Sequence, residues 1–177
     1  MSDIFHLIAD ARGAAFEHRF EDAAALASRA LKSMPTCLVA LRILAWSQLE
    51  LDADEALATF EKCAAYDPED ALAYVGQAIW YQKHRDNDSA VSQWVRAWEL
   101  DPHNQEARIT LGNLLLAGGA SPDRAAEQAN AVLALNPNSA DAYALLASIA
   151  QAKGDKDGAS KNIERAISLD PARSGFR

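Results

Sequence analysis

Trp98-Glu99-Leu100-Asp101-Pro102 has four counterparts along the chain: Leu31-Lys32-Ser33-Met34-Pro35, Ala64-Ala65-Tyr66-Asp67-Pro68, Leu133-Ala134-Leu135-Asn136-Pro137 and Ile167-Ser168-Leu169-Asp170-Pro171. The five prolines are separated by 33, 34, 35 and 34 residues. Proline lacks an amide donor and clashes with the preceding turn, so each of these segments predicts the end of a helix.

Working back from each proline, small or apolar residues recur 12, 8 and 5 places earlier. The sets are Ala23, Ala27, Ala30; Ala56, Phe60, Cys63; Ala90, Trp94, Ala97; Ala125, Ala129, Val132; and Ala159, Ile163, Ala166. Spacings of four and three place each set on one helical face. A further helix precedes each of the last four, with faces Leu41, Leu44, Ala45, Gln48; Tyr74, Gln77, Ala78, Tyr81; Arg108, Leu111, Gly112, Leu115; and Tyr143, Leu146, Ala147, Ala150. Small residues beside large ones let paired helices approach closely. Turn signals divide the pairs at Asp52-Ala53-Asp54, Asp86-Asn87-Asp88, Gly118-Gly119-Ala120-Ser121 and Gly154-Asp155-Lys156. Ser121 before Pro122 reads as an N-cap and first helical position, which accounts for the sixth proline.

A helix–turn–helix unit of this length, repeated in register, resembles the tetratricopeptide-repeat family. The resemblance covers residues 1 to about 171 and is clearest in the last unit, at Tyr143, Leu146, Ala147, Gly154, Ala159, Ala166 and Pro171. The first unit departs most, with Asp10 at an expected leucine position, as suits the end of a stacked array. The expectation is an all-α solenoid of five units, at 3–35, 36–68, 69–102, 103–137 and 138–171, with a short tail at 172–177. The resemblance implies a right-handed superhelix whose concave side is lined by the first helix of each pair.

Carried over by position, the resemblance nominates a partner-binding groove of Arg42, Trp46, Leu49, Leu72, Val75, Ile79, Lys83, Ile109 and Asn113. Phe5, Ile8 and Arg12 extend it at one end, with Val39 and Gln82 along its length. Glu106, Leu116, Asp141, Ala144, Ser148 and Gln151 follow at the other end. The first four units offer an apolar strip with a few charges, a feature of protein-binding surfaces. Trp46 beside Arg42 stands out, because both residue types are over-represented among binding hot spots; alternatively Trp46 packs between units. Some family members grip a peptide carboxylate with lysine, arginine and asparagine. Here Ile8, Gly76 and Glu106 occupy such positions, and an acidic residue there repels a carboxylate, so that clamp is not expected.

Composition narrows the partner. Half of the 177 residues are hydrophobic and the net charge is −8. A negative surface repels phosphate backbones, so neither nucleic acid nor an anionic membrane is expected, whereas a basic or mixed protein surface is compatible. No stretch approaches the ~18 apolar residues of a membrane span. The start of the chain lacks the basic and apolar segments of a signal peptide, which points by default to the cytoplasm. Cys37 and Cys63 form no C-x-x-C and are expected to be reduced and packed.

No catalytic or metal-binding constellation can be assembled. His6, His18, His84 and His103 lack metal-ligand spacing. Gly118-Gly119 lacks the lysine of a phosphate loop, and Asp52/Asp54 and Asp86/Asp88 serve as turn and helix-start residues. No cofactor is expected. The expected function is a non-catalytic module holding a peptide or helix of a partner protein as adaptor, scaffold or assembly factor. The alternative is a self-associating structural module that forms a homo-oligomer through end faces, including Leu145, Ile149, Ile163 and Ile167.

Overall fold

The computed structural model describes residues 2–118 and 122–172, with the backbone alone at Ser2. Among them are ten helices and no strand. In order these are α1 (Ser2–Phe16), α2 (Phe20–Ser33), α3 (Leu38–Glu50), α4 (Ala56–Tyr66), α5 (Ala71–Lys83), α6 (Asn87–Leu100), α7 (Gln105–Ala117), α8 (Pro122–Leu135), α9 (Ala140–Ala152) and α10 (Lys156–Leu169). Each odd-numbered helix pairs with the even-numbered helix that follows it. The chain forms two compact units, Met1–Leu100 and Asp101–Arg177. In the first, α1 also touches α3 and α3 touches α5; in the second, α7 touches α9.

The proline-ended segments explain the regularity. The residue before proline is pushed out of the helical region by the pyrrolidine ring. Met34, Asp67 and Asp170 accordingly have φ near −138° and positive ψ (φ −139, −138 and −137). Where that residue is Asp or Asn, its side chain closes the turn. Asp67, Asp101 and Asn136 each accept a hydrogen bond at 3.2 Å from the amide two residues later.

The turns inside the pairs have a second recurring form. His18, Asp52, Arg85 and Gly154 all have positive φ, from 53° to 78°. The amide after each one bonds back five residues, from Arg19 to Ala14, Ala53 to Gln48, Asp86 to Tyr81 and Asp155 to Ala150, at 2.9–3.0 Å. This is the Schellman ending, normally served by glycine, and only Gly154 among these four positions is one. Residues 119–121, where the fourth unit's turn and the expected cap at Ser121 fall, lie outside the described residues.

The core follows the small-residue faces. Ala23, Ala27 and Ala30, then Ala56, Phe60 and Cys63, then Ala90, Trp94 and Ala97, then Ala125, Ala129 and Val132 are all buried. In α10 only Ala166 of the corresponding set is buried; Ala159 and Ile163 are half-buried. Gly76 and Gly112 sit where a neighbouring side chain lies directly on the helix backbone. A Cβ at Gly76 would run into the ring of Phe60, and one at Gly112 into the side chain of Leu145. Gly76 is therefore a packing residue, set where the α5 backbone passes over Phe60.

Side-chain hydrogen bonds pin two of the pairs, α3 to α4 and α5 to α6. Thr59 Oγ1 donates to Gln48 Oε1 at 2.7 Å, and Trp94 Nε1 donates to Gln82 Oε1 at 2.8 Å. One expectation changes here. Leu145 and Ile149 are 2% and 3% exposed and belong to the core, so they do not form part of an open end face. Tyr66, just before the second proline-ended turn, is 53% exposed. Of the tail, residues 173–177 lie outside the described residues. Among the described residues, no helix is long and apolar enough to cross a membrane.

Candidate functional site

In the first unit, α1, α3 and α5 lie side by side, so residues at equivalent positions form rows across them. The outermost row is Phe5, Val39 and Leu72, which are 70%, 45% and 49% exposed. Water covers a large part of three apolar side chains at one structural position. The next row, Ile8, Arg42 and Val75, runs from half-buried to buried, and the row after it holds Arg12, Trp46 and Ile79.

Several nominated residues are fastened to their neighbours. Arg42 Nε donates to Asp70 Oδ2 at 2.7 Å, and Arg42 also lies 3.8 Å from Asp67. Asp70 precedes α5 at its N-cap position, and its side chain is 2% exposed. Arg42 thus bridges α3 to the start of α5. At the equivalent caps Asn104 and Ser139 bond their own helices, accepting from Ala107 and Ala142. Lys83 Nζ donates to the Leu49 carbonyl at 2.9 Å and to Asp52 Oδ1 at 2.6 Å. That hydrogen bond, followed by the charge of Lys83, holds the Asp52 carboxyl below its ordinary value.

Trp46 is half-buried and meets the Phe60 ring edge-on, with centroids 5.2 Å apart. It packs with Ile79 and Trp80 on a buried cluster of Ala45, Leu49, Ala56 and Phe60. The fold therefore brings Trp46, Leu49 and Ile79 together, with Leu49 wholly inside. Trp46 packs between successive pairs while keeping part of its surface in water. Gln82 turns inward to Trp94.

Trp80 and Asp70 were not singled out by the periodic pattern. The Trp80 ring also stacks on His84 at 3.7 Å. Asp70 is legible only as a helix-start acid; its pairing with Arg42 spans 28 residues and has no local signature.

In the second unit α7 and α9 border a groove of about 550 Å³. Ile109 and Asn113 line it, joined by Glu106, Asp141, Ala144 and Ser148. These six are among the eight groove-facing positions expected for the two helices; Leu116 and Gln151 are not in this lining, whereas Thr110 and Gln105 are. Among the described residues, no three His, Cys, Asp or Glu side chains converge as metal ligands.

Comparison with known proteins places this architecture. The tetratricopeptide-repeat family profile matches residues 39–70 and again residues 140–173. The crystal structure of MamA protein superposes with a TM-score of 0.82 at 20% identity, covering 97% of this chain and 94% of that one. A double mutant, MamA RS-1 ArsTM, gives a TM-score of 0.85 at 14% identity over 99% and 98% of the two chains. YrrB, described as a TPR protein with an unusual peptide-binding site, gives 0.77 at 24% identity over 94% and 86%. No curated sequence matches the chain.

Proposed function

We propose, from the premise that the chain belongs to the tetratricopeptide-repeat family, that it is a non-catalytic interaction module holding a peptide or helix of a partner protein against its first-helix faces. The carrying observation is the exposed row Phe5, Val39 and Leu72 on α1, α3 and α5. A solvent-facing apolar row at one repeated position suits partner side chains that bury it, each large apolar side chain being worth about 1.5–3 kcal/mol when fully covered. The half-buried Trp46 and Ile79 continue this face inward, with Val75 beneath it. In the second unit Ile109 and Asn113 serve the same role within the α7–α9 groove. The peptide-binding site of YrrB, a protein of the same fold, supports this use of the architecture.

The choice of test follows from the geometry. Replacing Arg42 would strand the buried Asp70, and replacing Trp46 would uncover Phe60, so either change confuses binding with stability. Val39 and Leu72 are exposed and carry no such duty. Val39→Asp with Leu72→Asp is expected to abolish partner capture from native lysate while helicity and melting temperature stay near wild type. Undiminished capture by that double variant would exclude the face as the binding surface.

A further inference from the structure

We propose that the flank of α1 centred on Gly13 is a second contact surface, which takes a partner helix bearing a large apolar residue beside a glutamate or aspartate. It is distinct from the row Phe5, Val39 and Leu72. Glycine is a poor residue inside a helix, because it has the most backbone freedom to lose. Among the described residues, Gly13, Gly76, Gly112 and Gly158 lie inside helices. Three of them have a side chain laid on the backbone: Phe60 on Gly76, Leu145 on Gly112 and the Asp155 carboxylate on Gly158. At Gly13 the helix surface is open, and a Cβ there would meet no atom within 4 Å.

Position within the array points to a helix as the occupant. The residues that follow Arg12, Trp46 and Ile79 are Gly13, Ser47 and Trp80. Ser47 is 1% exposed, and Trp80 packs on Ala45, Leu49, Ala56 and Phe60 of the preceding helix pair. On α1 the same position is exposed. Where this position is covered inside the array, helices cover it, so a helix has the matching shape. The lining says what that helix carries. Ala9, Ala15, Phe16 and Ile43 surround Gly13 with apolar surface, in a groove of about 630 Å³. Phe16 is 88% exposed, and a large apolar side chain laid over Gly13 would take part of that ring out of water. Arg12 is exposed and is the one charged residue in the lining. A basic segment would meet a like charge there, whereas a carboxylate can take two hydrogen bonds from the guanidinium.

The test uses the full ¹⁵N-labelled chain and three fluorescein-labelled alanine-based peptides of about 18 residues, long enough to form a helix. One carries leucine–glutamate pairs along one face. In the second lysine replaces each glutamate, and in the third alanine replaces each leucine. The leucine–glutamate peptide is expected to shift amides of α1 and the start of α3, and to bind about tenfold or more tighter than either counterpart. Gly13→Leu fills the open surface with a better helix former. Its melting temperature should not fall, while peptide binding is lost. Arg12→Glu should make the lysine peptide the tighter one. Val39→Asp with Leu72→Asp should leave peptide binding unchanged; loss of binding there would contradict a separate surface and leave the exposed row standing. Binding that survives Gly13→Leu, equal affinity for the glutamate and lysine peptides, shifts scattered over the surface, or no binding by any peptide would each overturn the proposal. So would sedimentation showing a dimer that Gly13→Leu dissociates, since the occupant would then be a second copy of the chain.

Discussion

Cys63 shows how strongly one buried position is defined. Its side chain has no exposure, and burial, with the Asp70 charge adding to it, pushes the thiol from 9.0 to about 11. The thiolate is the reactive form, so a thiol reagent at pH 8 is expected to modify the half-buried Cys37 first and to reach Cys63 only on unfolding. The same displacement has a thermodynamic sign. Between pH 9 and 11 the unfolded thiol ionises while the folded one stays protonated, so the unfolded state binds fewer protons and stability falls as pH rises. Denaturant titrations should show wild type losing more stability across that window than Cys63→Ala; equal slopes would contradict the assignment. Recurrence of Cys63 with Phe60 and Ala56 made its burial legible in the sequence. The duties of Arg42, Lys83 and Gly76 were not legible. Each is decided by a partner on another element: Asp70, Asp52 with the Leu49 carbonyl, and Phe60. Gly76 in particular reads in the sequence as an absent ligand-gripping amide, whereas the ring beneath it dictates the residue.

The helix pairs were legible because their ends are written in local chemistry. Proline and the preceding Asp or Asn close one turn, and positive φ closes the other. Local signals did not disclose that His18, Asp52 and Arg85 adopt a backbone shape suited to glycine; Asp and His enter it more readily than most residues, whereas Arg does not. Arg85 is exposed and begins no described contact beyond its backbone bond to Gln82. Arg85→Gly is therefore expected to raise stability by about 0.5–1 kcal/mol, the relief of left-handed strain exceeding the added freedom of the unfolded chain. Thermal unfolding checks this, and a lowered melting temperature would mean that the turn is not strained. Asp52 is the poorer choice, because Lys83 holds its side chain.

Across the molecule, stability in such arrays is built from each pair and its contacts with the next. The described core thins towards α10, where Ala166 alone is fully buried, against three buried residues in α6 and three in α8. Amides of α10 are expected to exchange with solvent faster than those of α4, whose Ala56, Phe60 and Cys63 are enclosed. Hydrogen exchange followed by mass spectrometry would show this gradient, and uniform protection would contradict it. The repeat period made the order of elements legible over the whole chain. The exposure of the apolar row on α1, α3 and α5 needed the structure, since spacing does not supply it.

The Arg42–Asp70 pair makes the succession of repeats non-interchangeable. Positions equivalent to Arg42 hold Ile8, Val75, Ile109 and Ala144, and the starts of α7 and α9 hold Asn104 and Ser139 where α5 has Asp70. If the 69–102 unit were transplanted behind any other, Asp70 would confront an aliphatic side chain; if 103–137 were moved directly behind 36–68, the guanidinium would meet a neutral amide. Units of one fold thereby acquire an address, and exchanging one for another is penalised at this seam by a stranded charge.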